Sequence, residues 1–334
     1  MARILLIGLG PTAESAFDSL AERFELVGVV RQLDGRDPEA DPVVRRARLA
    51  KVPVFSDTSP QCIQRVVSDT APDCVVVSSY NRLLDRQVLA GCPFVNVHYG
   101  PLPRYRGMAG LNWAILNDEP STAITVHTII EGMDAGRILH QELVPIGADD
   151  TVVDLCNRLN QLQRRSLGDA VARLLAGDVG RAQNERDATY GCNRMPQDGQ
   201  IDWSAPTRDV YALVRALVRP YPGAFTYLRG QRLIVWRATP AADPPRYSGR
   251  VPGRVVGVSK TDGSIDVLTG DGVMTLLEVQ LEGAEPAAPA MLARSVRTTL
   301  GLSTSEMLAR LQALERQVEA LTRALKELTH HAAV

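Results

Sequence analysis

Cys74, Val75, Val76, Val77 and Ser78 form a short run without polar alternation, fenced by polar and turn-forming residues on both sides. A run of this length is buried on both faces only as an interior strand of a sheet covered by helices. That requirement sets the class of the surrounding chain. Arg3 to Ile7 and Leu26 to Val30 are apolar strands of the same kind, and Pro53 to Phe55 is a shorter one. Helical patterns stand between them at Ala13 through Phe24, Ala40 to Ala50 and Pro60 to Val67. Strand and helix in alternation predict an α/β fold with a parallel, doubly wound, Rossmann-like sheet. The turn from Gly8 through Gly10 to Ala13 matches the spacing of a dinucleotide fingerprint. However, Arg31 and Gln32 follow the second strand where that fingerprint needs an acidic ribose anchor, so the glycines are read as turn formers.

The chemistry-bearing stretch runs from Phe94 to Gly107. A strand over Ala90 to Val97 approaches it, and strand alternation puts Asn96 and His98 on one face. Gly100, Pro101 and Pro103 then exclude helix and ladder pairing, so the chain leaves the sheet as a loop at the strand's carboxyl end, where open α/β sheets bind ligands. Arg104, Tyr105, Arg106 and Gly107 follow, and Met108 to Leu116 reads as a helix. Further on, Glu131, Gly132, Met133, Asp134, Ala135 and Gly136 form a turn between strands at Thr122 to Ile129 and Ile138 to Val144. It presents an acid at a strand end. His127 and His140 lie within those strands and are read as structural histidines. Thr151 is placed to cap a long helix running toward Leu175.

With 334 residues the chain is long enough for two domains. A net charge of −1 and a pI near 6.5 argue against a polyanion as main partner, so nucleic acid is not expected. Five scattered cysteines without a Cys-x-x-Cys pair suggest neither a disulfide framework nor a zinc site. No leader segment and no bilayer-spanning run is read, which leaves a reducing cytoplasm as the expected location and no membrane partner.

Asn96-x-His98, the loop from Pro103 to Gly107 and Met133-Asp134-Ala135-Gly136 together resemble the formyltransferases that use N10-formyltetrahydrofolate. The likeness continues through Leu111-Asn112-Trp113, Asp198 to Trp203 and Arg219 to Phe225, and covers residues 1 to about 300. The last two motifs resemble the branch that formylates nucleotide-linked amino sugars. The chain departs from the family pattern at Tyr99-Gly100-Pro101-Leu102-Pro103, at Met108 and in an additional tail.

This resemblance implies a catalytic domain over residues 1–189, a linker over 190–205 and a small β-barrel of oligonucleotide-binding (OB) type over 206–302, and the additional tail over 303–330 is read as a helix from its own heptad spacing. It implies catalysis by Asn96, His98 and Asp134. It places the folate near Leu83 and Leu84 and the loop of Ile130, Glu131, Gly132, Met133 and Asp134, and the acceptor near Tyr105, Arg106 and Trp113. N10-formyltetrahydrofolate is the expected co-substrate, with no metal. The short strands Leu233 to Arg237, Gly253 to Ser259, Ser264 to Leu268 and Met274 to Leu281 agree with such a barrel on their own terms.

The chemistry accounts for the triad independently. Formyl transfer to an amine needs a proton acceptor that can return its proton, and His98 suits that task. Asp134 can orient the imidazole and favour its charged form, and Asn96 can donate to a developing oxyanion. A small-molecule amine is the expected partner, with a nucleotide-linked 4-amino or 3-amino dideoxysugar favoured over a hydroxyornithine-type amino acid or methionyl-tRNA. In the tail, Met307, Leu311, Leu314, Val318, Leu321, Leu325 and Leu328 alternate at spacings of four and three, which predicts a short parallel coiled coil and a homodimer.

Overall fold

The computed structural model describes residues 1–33, 37–80, 82, 84, 86–302 and 304–331. Leu83 lies outside the described residues, as does the side chain of Leu328. The chain divides into two units, Met1–Arg194 and Met195–Val334.

The first unit is built on β1 (Arg3–Ile7), α1 (Ala13–Ala21), β2 (Glu25–Val30), α2 (Pro42–Leu49), β3 (Val54–Phe55), α3 (Pro60–Thr70), β4 (Cys74–Ser78), α4 (Arg86–Leu89) and β5 (Phe94–Tyr99). It continues through β6 (Arg106–Gly107), α5 (Gly110–Leu116), β7 (Ser121–Thr128), β8 (Ile138–Pro145), α6 (Val152–Leu175) and β9 (Tyr190–Gly191). The main sheet has the order β3-β2-β1-β4-β5-β7-β8. β4, the run that set the fold class, is buried along its whole length between β1 and β5.

The sheet is not parallel throughout. From β3 to β5 the strands run parallel, but β7 is antiparallel to β5 and β8 to β7. The segment Glu131–Gly136 is therefore a hairpin connection: it begins beside Val95 at the amino end of β5 and carries Asp134 to Asn96 and His98.

Two local devices shape the carboxyl edge of the parallel strands. In the first turn, a Cβ on Gly8 would lie 2.4 Å from that of Ala13, so only glycine lets α1 pack this close to the strand end. The carbonyls of that turn face Arg31, whose Nη1 donates to Gly8 at 2.7 Å and Gly10 at 3.1 Å. Arg31 Nε meets Asp41 at 2.8 Å, and Asp41 itself caps α2 through Val43 and Val44. At the end of β5, the Tyr99 hydroxyl sits 2.6 Å from both Asn160 and Gln163 of α6. Thr151 caps α6 as expected, in a reciprocal box with Asp154.

The second unit carries α7 (Thr207–Ala216), β10 (Ala224–Leu228), β11 (Gln231–Pro240), β12 (Val255–Val258), β13 (Ile265–Leu268), β14 (Val273–Leu281), α8 (Pro289–Leu292) and α9 (Thr304–His331). Its strands form an antiparallel sheet in the order β10-β11-β14-β13-β12, with β10 and β12 at the two edges. The segment expected as a linker over 190–205 is not a free tether. Tyr190–Gly191 pairs with Arg106–Gly107 inside the first unit, while Ile201 and Trp203 are buried in the second. α9 leaves Met307, Leu311, Leu314, Val318, Leu321 and Leu325 exposed. Among the described residues, no helix is long and apolar enough to cross a membrane.

Candidate active site

β5 and the hairpin turn after β7 bring Asn96, His98 and Asp134 together. Asp134 Oδ2 lies 3.5 Å from His98 Nδ1, and Asn96 Nδ2 donates to Asp134 Oδ1 at 3.3 Å. The backbone N–H of Gly107 donates to Asp134 Oδ2 at 2.8 Å. Asp134 reaches this position in the left-handed region, at a φ of 48°, a conformation in which Asp and Asn are tolerated far better than bulkier residues.

His127 belongs to the same cluster and was not anticipated as a site residue. The β5–β7 register sets it directly opposite Asn96. Its Nε2 is 3.2 Å from Asn96 Nδ2 and 3.5 Å from Asp134 Oδ1. Strand alternation in β7 was the available signal, but only the cross-strand register shows which residue it meets.

The partners determine the tautomers. His98 Nε2 is 2.8 Å from the carbonyl oxygen of Tyr105, which can only accept, so Nε2 carries a hydrogen. In the neutral ring the lone pair is then on Nδ1, facing the Asp134 carboxylate. By the same reasoning His127 Nδ1 donates to the Thr128 carbonyl at 2.9 Å, and neutral His127 accepts from Asn96 at Nε2. A Cβ on Gly100 would stand 2.6 Å from His98 Nε2, so a bare backbone is needed beside the imidazole. The Thr125 hydroxyl holds that loop by donating to the Gly100 carbonyl at 2.7 Å.

The electrostatics follow from burial and charge. His98 is almost fully buried, and burial pulls its pKa below the ordinary histidine value. His127 pushes it the same way, while Asp134 and the Tyr105 carbonyl oppose the shift. For Asp134, burial raises the pKa, but the hydrogen bond and charge of His127, the charge of His98 and the Gly107 N–H outweigh it. Its carboxyl is held well below the usual carboxylate range. At neutral pH the arrangement is an ionised carboxylate facing an uncharged imidazole.

Other expected site residues differ in position. Ile130, Glu131, Gly132 and Met133 are exposed around the cluster, with Ile130 at 51% and Met133 at 46%, whereas Leu84 is buried. Trp113 is half-buried, donates to the Cys192 carbonyl at 2.9 Å and lies beneath the Arg194 guanidinium. Tyr105 turns its hydroxyl away to Glu119 and Asn117, and offers the cluster its backbone carbonyl instead.

Arg106 is 1% exposed, and its guanidinium meets Gln183, Glu185 and Tyr190. Arg106, expected near the acceptor, is thus held in an internal clamp. Its local sequence looks like a basic patch because the partners lie far along the chain. Among the described residues, no group of three or more His, Cys, Asp or Glu side chains is placed to hold a metal ion.

Residues 31–171 match the family described as formyl transferase, and residues 194–297 match the formyl transferase C-terminal domain. Among solved structures, HypX from Aquifex aeolicus in complex with tetrahydrofolic acid superposes with a TM-score of 0.65 at 18% identity, over 88% of this chain and 47% of that one. The chain thus spans about half the length of HypX. WlaRD, a sugar 3N-formyl transferase studied with dTDP and 5-N-formyl-THF, superposes with a TM-score of 0.59 at 15% identity, covering 85% of this chain and 99% of that one. Methionyl-tRNA formyltransferase from Clostridium thermocellum gives 0.54 at 16% identity, over 72% of this chain and 93% of that one.

Proposed function

The chain belongs to the formyl transferase family, and on that premise we propose that it transfers a formyl group from N10-formyltetrahydrofolate to a primary amine, with a nucleotide-linked amino sugar as the favoured acceptor. The observation that carries this reading is the His98–Asp134 pair. Nε2 is committed to a carbonyl, and the gap of 3.5 Å at Nδ1 leaves a lone pair free to take a proton.

The folate supplies an activated formyl group on nitrogen. His98 Nδ1 accepts the proton released by the attacking amine and returns it to the departing nitrogen. While charged, the ring is bracketed by the Tyr105 carbonyl at Nε2 and Asp134 at Nδ1, so the cation is stabilised where it forms. Asn96 directs both amide hydrogens inward, toward His127 and Asp134. Donation to an oxyanion requires it to release one of these two contacts, at 3.2 and 3.3 Å. Exposed Ile130 and Met133 beside a hydrogen-bonding cluster fit a flat heteroaromatic ring with polar edges. Residues 83 and 84, 130–134, 105 and 113 remain the proposed binding elements.

The antiparallel sheet of the second unit supports reading it as the family's OB-type barrel. The exposed seam of α9 supports pairing with a second copy of the chain as a coiled coil, and five free cysteines are compatible with a reducing cytoplasm. Size-exclusion chromatography with light scattering tests the pairing: Leu314→Lys should convert a dimer to a monomer.

The decisive assay follows tetrahydrofolate release from N10-formyltetrahydrofolate with amino dideoxysugar nucleotides, hydroxyornithine and methionyl-tRNA as acceptors. Release that depends on an amino sugar nucleotide supports the reading. Release with another amine keeps the chemistry and changes the substrate, and release without any acceptor makes water the acceptor.

A further inference from the structure

The strap from Arg181 to Gly191, between α6 and the second unit, is stitched to the site along its length. Arg181 exchanges backbone hydrogen bonds with Ile138 at 2.8 Å, at the start of β8. Thr189 accepts from the Arg106 N–H through its carbonyl at 2.8 Å and from the Tyr105 N–H through its hydroxyl at 2.9 Å. Tyr190–Gly191 pairs with Arg106–Gly107.

Gln183 sits at the centre. Its amide nitrogen donates to the Asp134 carbonyl at 2.7 Å and the Gly136 carbonyl at 2.6 Å. Its amide oxygen accepts from Arg106 Nε at 3.2 Å and Nη2 at 2.9 Å. Two carbonyls on one side and two N–H groups on the other permit a single orientation of this amide. Arg106 is fixed in turn by Glu185, with Nη2 and Nη1 at 2.7 and 2.9 Å from its two oxygens, and by the Tyr190 hydroxyl at 3.2 Å.

β6 therefore grips Asp134 twice: its Gly107 N–H holds the carboxylate, and its Arg106 side chain holds the backbone carbonyl by way of Gln183. Asp134 needs such a grip because its backbone occupies the left-handed region and its carboxylate must stop short of His98 Nδ1.

We propose that Gln183 is a positioning residue for the His98–Asp134 pair, locked in place by Arg106, and that the strap thereby sets the proton affinity of the base. The kinetic part rests on the formyl-transfer reading; the titration part does not. The groups facing His98 are Asp134 from the hairpin turn, His127 from β7 and the Tyr105 carbonyl from the loop, and the nearby Arg106 charge is neutralised by Glu185. Loosening Asp134 removes the influence that favours the charged ring, so the base form of His98 should persist to lower pH.

The test uses the full chain with Gln183→Met and Gln183→Glu. Methionine keeps the length without either polar atom, and glutamate keeps the acceptor for Arg106 but cannot donate to the two carbonyls. Histidine ring 15N shifts are followed across pH, with the His98 signal assigned by its loss in His98→Asn. The expected result is a fall of about half a pH unit in the His98 midpoint in both variants, with melting temperatures within about 2 °C of the parent.

In the tetrahydrofolate-release assay, kcat should fall about 30-fold with KM for folate changed less than about threefold, and the acid limb should move to lower pH. An unmoved His98 midpoint in a folded variant overturns the proposal, whether or not kcat falls. If the parent releases no tetrahydrofolate with any acceptor, the functional reading fails and the ring titration alone decides. If Gln183→Met does not fold, Gln183→Glu carries the same two outcomes.

Discussion

Two loops at the carboxyl edge of the same sheet contrast sharply: the turn after β1 and the loop after β5. Both are glycine-bearing, and both lie where α/β proteins hold ligands. After β1, the carbonyls of Gly8 and Gly10 meet Arg31, and Arg31 meets Asp41, so the polar groups close on one another. After β5, His98 Nδ1 faces Asp134 across 3.5 Å with no hydrogen between them in the neutral ring. A strand end becomes a site when its packing leaves one group short of a partner that the reaction can bring. Glycine content does not distinguish the two.

His98→Asn should break the second loop most completely, lowering turnover by about a thousandfold while circular dichroism and the melting temperature stay near the parent values. Unchanged turnover would remove His98 from the chemistry. A smaller loss, about a hundredfold, is expected for Asp134→Asn. Asparagine tolerates the left-handed backbone, so the loss reports the carboxylate charge. The acid limb should also move to lower pH, because the group that raises the His98 pKa is gone.

Arg31→Met tests the first loop. Leaving Asp41 without its buried partner should cost about 3 kcal/mol of stability by denaturant titration, with kcat/KM unaffected. A drop in kcat/KM as large as that of Asp134→Asn would erase the contrast.

The smallest expected effect is on stability against pH. His98 has its pKa depressed on folding, so the unfolded chain binds more protons below about pH 6.5, and stability should decline as pH falls through that value. Denaturant titrations at pH 8 and pH 5.5 should show that part of the decline diminished in His98→Asn.

The features legible in the sequence were those carried by local pattern. β4 announced itself as an interior strand through five consecutive buried positions, and the fold class followed. Asn96 and His98 were placed together by strand alternation, and Asp134 by the glycines around its turn. His127 was missed because its neighbours come from cross-strand register, and the clamp around Arg106 was hidden because Gln183 and Glu185 lie 77 and 79 residues away. The reversal of direction at β7 was equally hidden: a turn between two strands does not state which way the pair joins the sheet. In the second unit, α7 was not expected, and the start of β10 was read only as part of the motif Arg219 to Phe225.

The strap also bears on where this chain can be divided. The match to the family's N-terminal domain stops at residue 171, and the last helix of the sheet ends at Leu175. A fragment cut there would keep Asn96, His98, His127 and Asp134 and every strand of the main sheet. It would lack Gln183, Thr189 and the β9 partner of β6. A piece that keeps the contacts around Asp134 therefore has to run past Gly191, and one cut after α6 should hold that aspartate more loosely.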